Sequence, residues 1–311
     1  MSGWPGAVGL GLGYLADVLL GDPRRWHPVA GFGGVANWLE QRTYADARLA
    51  GVGHTLLLVG GTVGLGALAE RSGAGRPLTK IIITGLATWT VLGGRSLTRA
   101  ATAVAEPLAT GDVAVARAQV RHLVGREVAE LSESEVARAT VESVAENTSD
   151  AVVAPLLWGA ALGIPGLLGH RAVNTLDAMV GYRSPRYERF GWAAARLDDL
   201  ANWVPARVAG LAAALTARLV GGSPPHVLRV VRRDAGQHPS PNAGVVEAAF
   251  AGALGIRLGG RNVYRGQVEE RGVLGEGPVA AAADIPRANR LAAAVSLTAL
   301  GLAMLIRGAR R

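Results

Sequence analysis

ATVESVAENTSDAVVAPLLWGAALGIPGLLG, residues Ala139–Gly169, is the stretch on which the fold turns. Glu142, Glu146, Asn147 and Asp150 run directly into nineteen residues without charge, Ala151–Gly169. Carboxylates are costly beside hydrocarbon, so an acidic cluster against a membrane-length apolar run implies a cation to hold, or a substrate that carries one. Gly163-Ile164-Pro165-Gly166 interrupts the apolar run, and Gly and Pro break helices. The segment therefore reads as a candidate re-entrant hairpin, which would leave its two flanking polar motifs on one side.

The composition extends this reading. Half of the 311 residues are apolar, 18% are charged and the mean hydropathy is positive, a low charge content for a soluble chain of this size. Aromatics are few, so the apolar mass is mainly Ala, Val, Leu and Gly, which suits closely packed membrane helices. The net charge is +8, with Lys80 the single lysine. The arginines are scattered through every connecting loop, which argues against nucleic acid and for lipid headgroups or anionic small substrates. There is no cysteine, so disulfides, thiolate metal sites and cysteine nucleophiles are excluded. No basic region precedes the first apolar run, and no cleavable signal peptide is expected.

Five segments reach or approach the roughly 20 apolar residues needed to cross a bilayer. They are Val52–Ala69, Ile81–Gly94, Ala151–Gly169, Val204–Gly222 and Leu291–Ile306, with Pro5–Gly21 a weaker sixth because it carries Asp17. Arg207 and Arg218 sit near the ends of the fourth, where long side chains can snorkel. The expected fold is all-α: a multi-pass integral membrane protein with about five apolar segments, forming one domain over residues 1–311. Its polar helical and loop regions, 95–150, 170–203 and 223–290, would build a site at the membrane surface. Helical spacing marks Val113–Val124, and Ser132-Glu133-Ser134-Glu135 resembles a helix start ahead of Val144. The region 223–290 reads as loops with short helices.

Three polar clusters border the apolar segments. Glu142 and Glu146, four apart, share a helix face that Asp150 would extend, a set suited to Mg²⁺. The bland alternative makes Thr148, Ser149 or Asp150 a cap for a helix beginning at Ala151. Asn174 and Asp177 lie opposite an apolar stripe of Val173, Leu176, Met179 and Val180. Asp198 and Asn202 are one turn apart, with Asp199 positioned to pair locally with Arg196. Weaker candidates are the loop 21–28 with Asp22 and His27, the helix opening at Gly94-Arg95, and His238, Asn242 and Glu247 in a Pro-broken stretch. No Walker A loop is present.

At these residues the chain resembles a known family. VESVAENTSDAVVAPL, AVNTLDAMVGY and RLDDLANWVPAR are similar to blocks of the CobD/CbiB family of adenosylcobinamide-phosphate synthases, with GDPRRWHPV, GRSL, SPNAG and AGALGIRLGG in the same order. The resemblance runs from Asp17 to about Arg290. It implies a membrane enzyme of cobalamin synthesis that joins (R)-1-aminopropan-2-yl phosphate, or aminopropanol, to a propionate of adenosylcobyric acid, with ATP as co-substrate and Mg²⁺. On this resemblance Glu142, Glu146, Asp150 and Asp198 hold Mg²⁺, and Asn147, Asn174 and Asn202 orient substrate. Asp177 or Asp199 is the base, while Arg95, Arg126 and Arg196 meet phosphate or propionate. Asp22, His27, His238 and Asn242 complete the substrate-binding set. It further implies the cell membrane with the site on the cytoplasmic side, and lipids and other pathway enzymes as partners. Two departures, Glu127 in the Gly-Arg-Asp block and Val245-Val246 where an aromatic is expected, leave the roles of Glu127 and Glu247 open.

Two rival classes fit parts of the pattern. A transporter would use the carboxylates as a relay, but no inverted repeat is visible and the polar regions are long for connectors. An intramembrane prenyltransferase also binds Mg²⁺-diphosphate with acidic clusters, yet its Asp pairs at four-residue spacing are replaced here by Glu–Glu and Asn–Asp.

Overall fold

The computed structural model describes residues 3–22, 27–182, 184–264 and 267–310. In chain order the helices are α1 (Trp4–Leu20), α2 (Pro28–Thr43), α3 (Arg48–Ser72), α4 (Pro77–Val91), α5 (Gly94–Ala109), α6 (Val113–Val120) and α7 (Glu133–Thr148). After a π-helical turn, Ser149–Val153, come α8 (Ala154–Leu162), α9 (Ile164–Leu176), α10 (Trp192–Ala201), α11 (Trp203–Thr216), α12 (Pro224–Asp234) and α13 (Ala243–Leu254). A β-hairpin, β1 (Leu258–Tyr264) and β2 (Gln267–Leu274), precedes α14 (Asp284–Ala309). The contacts divide the chain into two compact units, interleaved along the sequence. The first takes residues 1–93, 150–202 and 299–311, and the second 94–149 and 203–298.

The apolar segments do become helices, and three are long and apolar enough to cross a membrane: α3, α14, and α11 with the 3₁₀ turn Ala217–Val220 that prolongs it. The expected count of about five is not reached by this measure. Ala151–Gly169 is two short helices, not one span. Gly163, at φ +74°, turns the chain between α8 and α9, and a methyl group at Gly166 would lie 2.1 Å from the Trp158 carbonyl oxygen. Helices of 9 and 13 residues reach about 13 and 20 Å, short of the ~30 Å hydrocarbon layer. The reading of residues 149–150 as a cap also fails: α7 passes through the π-helical turn into α8, so no helix begins at Ala151.

In the first unit, Leu10, Leu92, Leu156 and Leu167 close one core, and Leu176, Val180 and Phe190 another. Gly9 and Gly13 of α1 press on Thr84 and Thr88 of α4, the small-residue contact typical of membrane helices. Residues Pro23–Trp26 of the loop 21–28 lie outside the described residues. Its His27 caps α2, Nδ1 accepting from the Val29 amide at 3.2 Å.

In the second unit, the start of α7 is the one its sequence announces. Ser132 caps it and Glu135 reciprocates, a two-way box that satisfies two otherwise orphaned donors. The hairpin is a departure from the all-α expectation. β1 has no alternating pattern, because Gly259 and Gly260 both take positive φ at a register shift. A side chain at Gly259 would strike the Gly272 carbonyl, its Cβ lying 2.1 Å away. The close strand approach that makes the hairpin thus also removes its sequence signal.

Candidate functional site

The second unit contains a cavity of about 310 Å³, walled by the loop Leu123–Arg126, one face of α7, the segment His238–Ser240, α13 and β2. Its ionisable lining is Arg126, Glu142, Glu146, His238, Glu247 and Arg271. Helical phase explains two of these. Glu142 and Glu146 are one turn apart on α7, and the same face presents Ser143 and Ala139.

Glu142 is buried and fixed. Arg126 Nη2 donates to its Oε2 at 2.5 Å, the Gly259 amide donates to its Oε1 at 2.8 Å, and Arg138 stands 4.0 Å away. Arg126 also donates to Asn262 Oδ1, which receives Arg138 Nη2 at 3.2 Å. The hairpin therefore serves the site by delivering an amide and a carbonyl oxygen to a buried ion pair.

Glu247 is treated differently. Its carboxyl is buried, His238 Nε2 lies 3.7 Å from Oε1, and Oε2 has no hydrogen-bond partner among the described residues. Burial, reinforced by Glu142 and Glu146, pushes its pKa well above the usual carboxylate range. Glu146 opens onto the cavity and stays accessible to water, yet the protein around it, with Glu142 adding to the effect against Arg271, also raises its pKa. His238 is depressed by burial and by Arg271, whose Nη1 is 3.2 Å from its Nε2. Its Nδ1 accepts from the Ser240 amide at 3.0 Å and lies 3.2 Å from the Ser240 carbonyl oxygen. Three carboxyl groups line the cavity with Arg126 and Arg271, and because Arg126 and the nearby Arg138 both attend Glu142, Glu146 and Glu247 share chiefly Arg271, which favours a proton, an ammonium or a metal cation.

The first unit gathers other expected residues. Asn174 Nδ2 donates to Asp198 Oδ1 at 3.5 Å, and His170 Nε2 meets Asn202 Oδ1 at 2.9 Å. Asp22 and Asp150 supply negative charge that acts on Arg171. Asp177 opens a π-helical turn after α9. Asp199 takes the local pairing, 3.6 Å from Arg196 on the surface.

Of the residues expected from sequence, Arg126, Glu142, Glu146 and His238 come together in the cavity. Asn147 instead donates to the Ser143 carbonyl oxygen at 2.9 Å, and Asn242 accepts from Arg207 at 2.8 Å. Arg95 lies in the first turn of α5. Asp150 and Asp198 belong to the first unit, Glu142 and Glu146 to the second. Among the described residues no ready-made cluster of three metal-binding side chains occurs. Arg271 and Asn262 escaped the sequence reading, since neither belongs to a motif and both depend on the hairpin. Glu247 lies on α13, not in a loop, one turn past the helix start.

Helices of membrane length in a mostly helical chain, together with a polar cavity of carboxylates and guanidinium groups in the second unit, define a membrane-type helical protein with a polar site. The chain belongs to the CobD/CbiB family, matching the family described as CobD/Cbib protein over residues 10–292. It is similar to a protein of Mycobacterium tuberculosis (strain ATCC 25618 / H37Rv), 51% identical over 306 residues, covering 98% of this chain and 97% of the relative. A relative from Geobacter metallireducens is 47% identical over 268 residues, 84% of each chain. One from Rhodobacter capsulatus is 42% identical over 280 residues, 87% of this chain and 88% of the relative. All three carry the name cobalamin biosynthesis protein CobD. No solved structure matches the chain.

Proposed function

We propose that this chain is an ATP-dependent ligase of cobalamin biosynthesis, joining (R)-1-aminopropan-2-yl phosphate or free aminopropanol to a propionate of adenosylcobyric acid. The observation that carries the reading is end-to-end similarity to proteins named for cobalamin biosynthesis, joined to a cavity whose charges suit the chemistry. A carboxylate is a poor electrophile. Its oxygen would attack the γ-phosphorus of ATP, releasing ADP and leaving an acyl phosphate. The amine would then attack the carbonyl carbon, phosphate would leave, and the amine would lose a proton. Arg126 and Arg271 are the guanidinium groups in reach of phosphate or propionate oxygens entering the cavity. Glu247 or Glu146 would take the proton of the incoming ammonium, their raised pKa values bringing them nearer neutrality and so nearer the range of an effective base.

A divalent cation fits this donor set, because Glu247 Oε2 is a buried carboxylate oxygen without a partner and Glu146 lines the same cavity. Mg²⁺, once bound, would supply charge neutralisation for the phosphates. One of Glu146 and Glu247 would hold it, leaving the other as the base, while Glu142 is already committed to Arg126. We place the protein in the cell membrane with the site toward the cytoplasm, where ATP is available.

The test is purified protein with adenosylcobyric acid, aminopropanol phosphate and Mg·ATP, followed for ADP and amide together. Absence of both from a folded sample overturns the proposal. Intact ligation and Mg²⁺ dependence in Glu146→Gln would remove that residue from the metal set.

A further inference from the structure

Three helices of this chain are long and apolar enough to cross a bilayer, but α11 keeps different company from the others. Half of its apolar window is buried by protein, against 22% for α3. What buries it is informative. Arg207 meets Asn242 at the start of α13, a methyl on Gly210 would lie 3.1 Å from Val245 Cγ1, and one on Gly222 would lie 2.3 Å from the Ala253 carbonyl oxygen. Helix α13 therefore runs beside α11 in the same direction. Helix α12 runs back along α13, since Gly252 presses on Val227 and Val230 while Gly244 presses on Ala235 and His238. All three helices occupy the same depth.

This arrangement is incompatible with α11 crossing the membrane. Arg229 and Arg232 are exposed on α12, and neither has an ion pair or hydrogen bond among the described residues. A spanning α11 would carry both into hydrocarbon, where an unpaired guanidinium is strongly disfavoured. The outer face of α11 is nonetheless apolar, with Val204, Leu211, Leu215 and Leu219 all more than half exposed. Arg207 and Arg218 lie on the same face and bracket Leu211 and Leu215. Between these arginines are ten uncharged residues, about 15 Å of helix, half the hydrocarbon thickness. Trp203, stacked with Arg207 at 4.5 Å, stands at one end, as aromatic residues do at membrane interfaces.

We infer that α11 lies flat in the headgroup layer of an anionic bilayer, its Val204–Leu219 stripe dipped into the acyl boundary and Arg218 on lipid phosphates, and does not span. A short apolar stripe with cationic ends is the pattern of an interfacial helix. The second unit is then held on the membrane face by a surface of its own.

The chain has no cysteine, so single substitutions Val204→Cys, Leu211→Cys, Leu215→Cys and Leu219→Cys in the full-length protein each introduce a unique thiol. In phosphatidylglycerol-containing vesicles, an impermeant maleimide should reach the 204 and 219 positions from the same side. A fluorophore at 211 or 215 should be quenched by shallow lipid-borne quenchers and not by deep ones. Arg218→Gln should weaken this docking roughly fivefold, the effect of about one surface cation, and pure phosphatidylcholine should weaken it further. Labelling of 204 and 219 from opposite sides overturns the inference, as does deep quenching at 211. Full water exposure at all four positions, or thiol cross-linking between copies at 215, also overturns it and assigns the stripe to a protein partner. None of these readouts depends on ligase activity.

Discussion

The cavity of the second unit and the amide cluster of the first both keep polar side chains inside the protein, by opposite means. The cluster uses largely neutral partners, His170 with Asn202 and Asn174 with Asp198, each contact one hydrogen bond. The cavity uses ionisable groups: one carboxylate is locked by Arg126 and the Gly259 amide, and another carboxyl, Glu247, is left with a bare oxygen. Loss of one member of a neutral pair costs about 1–3 kcal/mol. Stranding a buried charge costs more, and a surplus of buried charges requires something to arrive.

The sharpest way to break this contrast is Arg126→Ala, which strands Glu142 in the interior. It should cost about 3–5 kcal/mol, read as a fall in the thermal or urea midpoint in detergent, whereas a loss below about 1 kcal/mol would mean that Glu142 is not buried as a charge. Glu247→Gln should separate function from stability. The amide resembles the protonated acid, so the unfolding midpoint should hold or rise, while ligation falls by about 100-fold or more. A variant that loses fold and activity together would argue for a structural Glu247.

The pH response should differ between the two regions. Glu146 and Glu247 have raised pKa values in the fold, so their contribution is full below the ordinary glutamate value of about 4.3 and is lost as pH climbs through the raised ones. His238 is lowered, so its contribution is full above about 6.5 and is lost as pH falls through its depressed value. Without divalent cation, the two glutamates should therefore lower stability as pH climbs above about 4.3 through their raised values, and Mg²⁺ should restore it at the upper end. A flat profile, unmoved by Mg²⁺, would deny the surplus negative charge.

Smaller effects complete the series. Asn202→Ala should cost about 1–3 kcal/mol, because His170 then keeps a buried nitrogen without its partner. Arg196→Ala should change the midpoint by less than about 0.5 kcal/mol, since its pairing with Asp199 is at the surface. A larger stability loss there would show Arg196 to be part of a network beyond that pair.

Legibility followed the range of the interactions. The start of α7 and the shared face of Glu142 and Glu146 are set by neighbours three and four residues away, and both were readable. The break at Gly163 was readable because its consequence is local. Arg271, Asn262 and the hairpin were not, since each acquires its role from contacts across more than thirty residues. The register shift at Gly259 and Gly260 also erased the alternation that would have marked β1. The length and composition of α11 were readable as those of a membrane helix, whereas its depth is shared with α12 and α13 and is a property no single helix carries.

The Gly259 amide that holds Glu142 is 117 residues further along the chain. At typical synthesis rates the ribosome needs roughly 6–25 s to cover that distance. During that interval all of the first unit's middle segment, 150–202, emerges, while Glu142 has Arg126 and Arg138 but no Gly259 amide. The site is thus among the last parts of the molecule able to close. A nascent chain stalled before Leu258 would carry its acidic helix complete and its binding chamber absent.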